Sequence, residues 1–163
     1  MRRGRGIAVA ALVATLAAPV VLQIPARAES ASELYTLNCW GCHSANAEGI
    51  PGTVPRLAHS MGYFPRIPAG RAYLVQVPGV ANSPLDDAET ATVLNWMLET
   101  FSKNELPPDF KPYTGAEVKA YRAHRLENVI DTRRALAKEL AAHGFKIAAM
   151  NPSASPEGKR VSK

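Results

Sequence analysis

Two cysteines are present in the whole chain, with two residues between them and a histidine directly after the second: Cys39-Trp40-Gly41-Cys42-His43. Covalent attachment of a haem needs two thiols spaced to reach its two vinyl groups and an imidazole placed to meet the iron. The segment supplies them in that order, so the sequence predicts one covalent haem c, held by Cys39, Cys42 and His43. Two other uses of such a pair fit less well. A redox dithiol of the thioredoxin type wants a strand before it and a parallel sheet around it, and no such strands are readable here. A tetrahedral zinc site would need a further ligand from His59, His124 or His143, none of which stands at a finger spacing. Haem attachment consumes both thiols and leaves no disulfide, so the fold is expected to depend on the haem.

The N-terminus reads as an export signal. Arg2, Arg3 and Arg5 precede the apolar run from Ile7 to Leu22, and Pro25-Ala26-Arg27-Ala28 ends in a small-x-small pattern with a cut expected after Ala28. A retained anchor is the competing reading, but the run is short for a span and Pro19 interrupts it. Either way the rest of the chain crosses the membrane, which implies a periplasmic protein, and with the signal cleaved the mature form has no span. Four of the 19 Lys and Arg residues lie before Glu29, whereas Glu29 is the first of the 14 acidic residues, so from there on the formal +5 falls to +1. That near-balance speaks against a nucleic-acid partner, whose phosphates call for a concentrated basic patch.

Glycine and proline punctuate residues 45–84, which excludes strands and long helices there, although Ala69 to Val77 can hold one or two helical turns. Ser30 or Ser32 can cap a short helix leading into the cysteine segment. Asp86 with Glu89 forms a capping box for a second helix, with Ala91, Leu94, Leu98 and Phe101 as its apolar stripe. A third, long helix is expected from Thr114 to Ala142, with a Thr114/Glu117 box, a Tyr113/Val118 staple and Gly144 as a C-cap residue. Its apolar face would carry Val118, Tyr121, Leu126, Val129, Ile130, Leu136 and Leu140, with Arg122, Arg125, Arg133, Arg134 and Lys138 facing mainly outward. The organisation predicted is a signal peptide over 1–28, a haem domain over 29–105, a C-terminal helical extension over 106–146 and a disordered tail over 147–163.

The residues 34–43, the loop Gly49-Ile50-Pro51-Gly52-Thr53-Val54-Pro55-Arg56-Leu57, and Leu85 to Glu89 leading into Leu94-Asn95-Trp96-Met97-Leu98 together resemble the small class I c-type cytochromes. The resemblance covers about half of the chain. It implies an all-α fold wrapped around one haem, with the first and last core helices crossing and the long C-terminal helix added. It also implies that a proline carbonyl beyond the motif fixes the His43 ring, with Pro51 preferred to Pro55 as the nearer.

Such proteins usually bring a methionine to the iron from the loop before the last core helix. Here that loop, 77–84, has none. Met61, His59, Met97 and Asn82 are the candidate sixth ligands, Met61 foremost, and an open position remains an alternative. Arg71 is the expected partner of a haem propionate. Tyr63, Phe64 and Tyr73 are pocket or core aromatics, and Trp96 is a packing residue. The function implied is one-electron transfer between a donor such as a dehydrogenase and a respiratory acceptor such as a terminal oxidase, a carrier rather than an enzyme. The alternative is a gas-binding or peroxidase-like haem protein with an open sixth position, for which no distal acid-base pair is evident.

Overall fold

The computed structural model describes residues 29–147; the predicted signal segment and all of the predicted tail but Ile147 lie outside them. The described residues form seven α-helices and two short 3-10 turns, and strand-like pairing is confined to an isolated Ile50–Val54 bridge. The all-α expectation is met.

α1 (Ala31–Asn38) starts where Ser30 accepts from the Glu33 amide and Glu33 reaches back to the Ser30 amide. It runs into α2 (Trp40–His43), which carries the end of the cysteine motif. A 3-10 turn over Met61–Arg66 leads to α3 (Pro68–Gln76) and α4 (Pro78–Ala81), each opened by a proline at its first position, where the missing N–H costs nothing. α5 (Asp87–Phe101) begins on the predicted Asp86/Glu89 box, formed in both directions. α1 and α5 pack together through aromatic rings, Tyr35 lying 5.4 Å from Trp96 and 5.2 Å from Phe101 between centroids. Trp96 is thus a packing residue.

The C-terminal part departs from expectation. It is not one long helix but two, α6 (Gly115–Arg122) and α7 (Val129–Ala142). Asn128 supplies the reason: its side chain accepts from the Asp131 amide and caps a new helix, a role in which asparagine competes well with helix continuation. The Thr114 box is half formed, since Thr114 accepts from the Glu117 amide while the Glu117 carboxylate is turned to Arg71. Gly144 follows the last helix with φ +85°, a conformation that glycine adopts without penalty.

Both helices pack back on the rest. Tyr113 is buried, exchanges two hydrogen bonds with the Asn95 side chain of α5, and donates its hydroxyl to the Arg71 carbonyl of α3. Val118, Leu136 and Leu140 join the same apolar cluster as Leu34, Leu94 and Leu98. The outward placement expected for the arginines fails twice. Arg122 donates to the carbonyls of Val80 and Leu85 and to the side chains of Ser83 and Asp87, at 2.8–3.2 Å. Arg133 is 5% exposed.

A candidate haem site

A cavity of about 320 Å³ lies at the centre of this arrangement, with Cys39, Cys42 and His43 on its wall. Its other walls come from the 53–57 loop, the Met61–Arg66 turn, α3, the 77–85 segment, α5 and α7. They are dominated by apolar side chains such as Leu57, Phe64, Leu74, Val80, Leu94 and Met97. A wall of this character takes a flat apolar ligand, with its polar groups met at a few points.

The loop leading away from the motif is shaped by Gly49, at φ +69°, where a Cβ would meet the Val54 carbonyl oxygen at 2.4 Å. Its amide donates to the His43 carbonyl at 3.0 Å, and the tight return places Pro55 over the histidine. Burial pushes the His43 imidazole below its usual pKa, and the Pro55 carbonyl partly opposes that shift. The ring is therefore neutral near pH 7, the form that binds a metal. Nδ1 is buried and completes no hydrogen bond of good geometry. Pro55, not the nearer Pro51, is the proline that faces the ring; Pro51 is exposed in the turn. Burial also raises the pKa of the Cys39 thiol, and both thiols are free.

Met61 and Met97 are both on the cavity wall, 2% and 5% exposed. His59 is not. Its side chain is 68% exposed and its Nδ1 lies 3.5 Å from a Glu105 carboxylate oxygen, with backbone φ +53° turning it away. Asn82 is likewise absent from the wall, although its neighbours Val80 and Ser83 are on it. Of the aromatics, Phe64 and Tyr73 line the cavity and stack on each other at 5.1 Å, whereas Tyr63 stacks on Phe145.

Arg71, expected at a propionate, is placed elsewhere. It makes a two-pronged ion pair with Glu117, at 2.5 and 2.8 Å, and lies over the Tyr113 and Phe110 rings. The planar guanidinium satisfies a carboxylate and two ring faces at once, so this arginine fastens α6 to α3. The cations on the cavity wall are instead Arg56, which pairs with Glu48 at 3.0 Å and is about half exposed, and the buried Arg133. Spacing carried a signal for Arg133: it falls on the stripe Val129, Leu136 and Leu140, at helical intervals.

The donor set fits a haem c. Two free thiols and a neutral, buried imidazole share one wall, and buried polar atoms such as His43 Nδ1 and Thr90 Oγ1 lack a protein partner there. Among the described residues no group of three His, Cys, Asp or Glu side chains is placed to hold a metal ion by itself, which disfavours the zinc reading.

Comparison with known proteins agrees. The family model for cytochrome c matches residues 28–101, so α6 and α7 lie beyond it. A cytochrome c-552 of Thermus thermophilus is 32% identical over 142 residues, covering 75% of this chain and 96% of that protein. A further Thermus thermophilus cytochrome c-552 is 34% identical over 118 residues, covering 60% and 90% respectively.

Proposed function

This chain belongs to the cytochrome c family and transfers single electrons through a haem c, and from that premise we propose which of its residues hold the group and where it works. The observation that carries the proposal is the meeting of Cys39, Cys42 and His43 on one wall of the apolar cavity. The group, when bound, supplies the Fe(III)/Fe(II) couple. Cys39 and Cys42 anchor it by thioether bonds. His43 donates Nε2 to the iron, with Nδ1–H directed to the Pro55 carbonyl, which fixes the ring and raises its basicity. The apolar walls exclude water and so favour the less charged, reduced state.

Met61 is the proposed sixth ligand. It is buried on the cavity wall in the 3-10 turn Met61–Arg66, in the loop region that wraps the cavity, whereas Met97 lies within α5. Two buried thioethers on the wall also argue against an open position, and with it the gas-binding alternative. Export by the 1–28 segment places the carrier in the periplasm, where a dehydrogenase and a respiratory acceptor are the fitting partners; among the described residues no helix is long and apolar enough to cross a membrane.

The test is the absorption spectrum of the oxidised holoprotein. Wild type is expected to show the far-red sulfur-to-iron charge-transfer band, and Met61→Ala to lose it while Met97→Ala keeps it. A band that survives Met61→Ala overturns the ligand assignment, and a high-spin wild-type spectrum overturns the closed iron site.

A further inference from the structure

Met61 opens a 3-10 turn that is tied at several points to one short stretch, residues 101–106, at and just beyond the C-terminal end of α5. The His59 amide donates to the Phe101 carbonyl at 2.8 Å, and the Gly62 amide donates to the Ser102 hydroxyl at 2.9 Å. That hydroxyl donates in turn to Glu105 Oε2 at 2.8 Å. Arg66 closes the turn, its guanidinium donating to the carbonyls of Glu105 and Leu106 at 2.8 Å each. These bonds flank Met61 in the chain, and Ser102 and Glu105 are 1% and 9% exposed. The fit is demanding. A Cβ on Gly62 would meet the Ser102 carbonyl oxygen at 2.3 Å, so a side chain directly after Met61 has no room. His59 holds φ +53°, a left-handed conformation that a non-glycine residue keeps where its surroundings dictate it. Ser102 and Glu105 are not on the cavity wall, and both lie beyond the family match.

We propose that Ser102 and Glu105 are positioning residues for Met61: the hydrogen-bond chain from Gly62 through Ser102 to Glu105 holds the turn so that the thioether stays on oxidised iron. This rests on Met61 as the sixth ligand. The 77–84 loop carries no methionine, so the hold on the ligand has to come from another element. A thioether favours the reduced state, so its bond is weakest after the electron has left. Fixing the turn beforehand removes the entropy that a free loop would lose on binding, and so disfavours replacement of Met61 by a competing ligand. The Glu105 carboxylate contributes a charge-assisted bond, which makes the Ser102 hydroxyl a fixed acceptor for the Gly62 amide.

The experiment titrates oxidised full-length holoprotein with imidazole, which displaces Met61 and removes the far-red band, for wild type, Ser102→Ala, Glu105→Ala, Glu105→Gln and Asn95→Ala. Asn95→Ala is the stability control: it breaks two hydrogen bonds between α5 and Tyr113 and leaves the turn untouched. Ser102→Ala and Glu105→Ala are expected to lower the imidazole concentration for half-displacement about tenfold, the scale of one buried hydrogen bond. Glu105→Gln keeps an acceptor for the Ser102 hydroxyl and should titrate near wild type. Asn95→Ala should lower thermal stability without moving the titration. If both alanine variants titrate as wild type does, or if Asn95→Ala moves the titration as far as they do, the bonds only stabilise the fold and the proposal falls. If one alanine variant does not load haem, the other decides. If neither loads, Glu105→Asp decides, because its shorter side chain draws the acceptor away from Ser102; an unchanged titration then overturns the proposal. A far-red band that survives Met61→Ala removes the ligand assignment itself, an outcome that the titrations of the Ser102 and Glu105 variants cannot produce.

Discussion

Arg71 lies between the Glu117 carboxylate and the Tyr113 ring, and its position shows what a single residue can do across elements that are distant in sequence. The Arg71 guanidinium holds the Glu117 carboxyl below its ordinary value of 4.5. The folded carboxylate is therefore the stronger acid. Its contribution to stability is present above the unfolded pKa and is lost as pH falls through the lower, folded one. Glu117→Gln should thus lower the urea midpoint at pH 7 and flatten its fall below pH 4.5, checked by unfolding curves at pH 7 and 3.5; parallel curves for the two proteins would argue against the linkage. The sequence shows an arginine and a glutamate 46 positions apart and cannot pair them. His43 is the opposite case. Its spacing from Cys42 is a covalent fact of the chain, and it marks His43 as the candidate iron ligand without coordinates.

Among the elements, α1 and α5 follow from their caps and stripes, because an N-cap bond is local and its partners are three residues apart. The single helix expected over 114–142 became α6 and α7, since apolar periodicity continues across the break and hides it. The break matters. It lets α6 bring Arg122 to the 80–87 segment, whose residues Val80, Ser83 and Leu85 form cavity wall, while α7 turns Arg133 to the same cavity. Arg122→Ala would strand the Leu85 carbonyl and remove one of the bonds to the Val80 carbonyl, which keeps the Ser83 amide, and is expected to cost about 1–3 kcal/mol, the cost of one unsatisfied buried group. Amide exchange should quicken over residues 80–87 and not over α1. Uniform exchange would mean that the clamp is not local.

At the level of the whole molecule, the cavity is walled by residues of the same apolar cluster that forms the core, such as Phe64, Leu94 and Met97. Leaving 320 Å³ of mostly apolar wall without an occupant would cost up to about 8 kcal/mol at ~24 cal/mol per Å³. That is comparable with the ~5–15 kcal/mol that holds a domain together. The double variant Cys39→Ser/Cys42→Ser, purified without haem, should therefore show no cooperative thermal transition by circular dichroism, whereas the holoprotein does; a sharp transition without haem would show a self-sufficient core. What the sequence by itself determined are features written in contiguous residues: the two thiols and the imidazole, the caps of α1 and α5, the absence of strands, and the family they jointly indicate. Only the tertiary structure decided which proline faces His43, that His59 lies off the cavity and Met61 on it, and that Arg71 fastens helices while Arg133 enters the pocket. The physical reason is the same in each case. Local hydrogen bonds and covalent spacing depend on neighbours in the chain, but a buried charge or ligand takes its role from partners in other elements that only packing brings near.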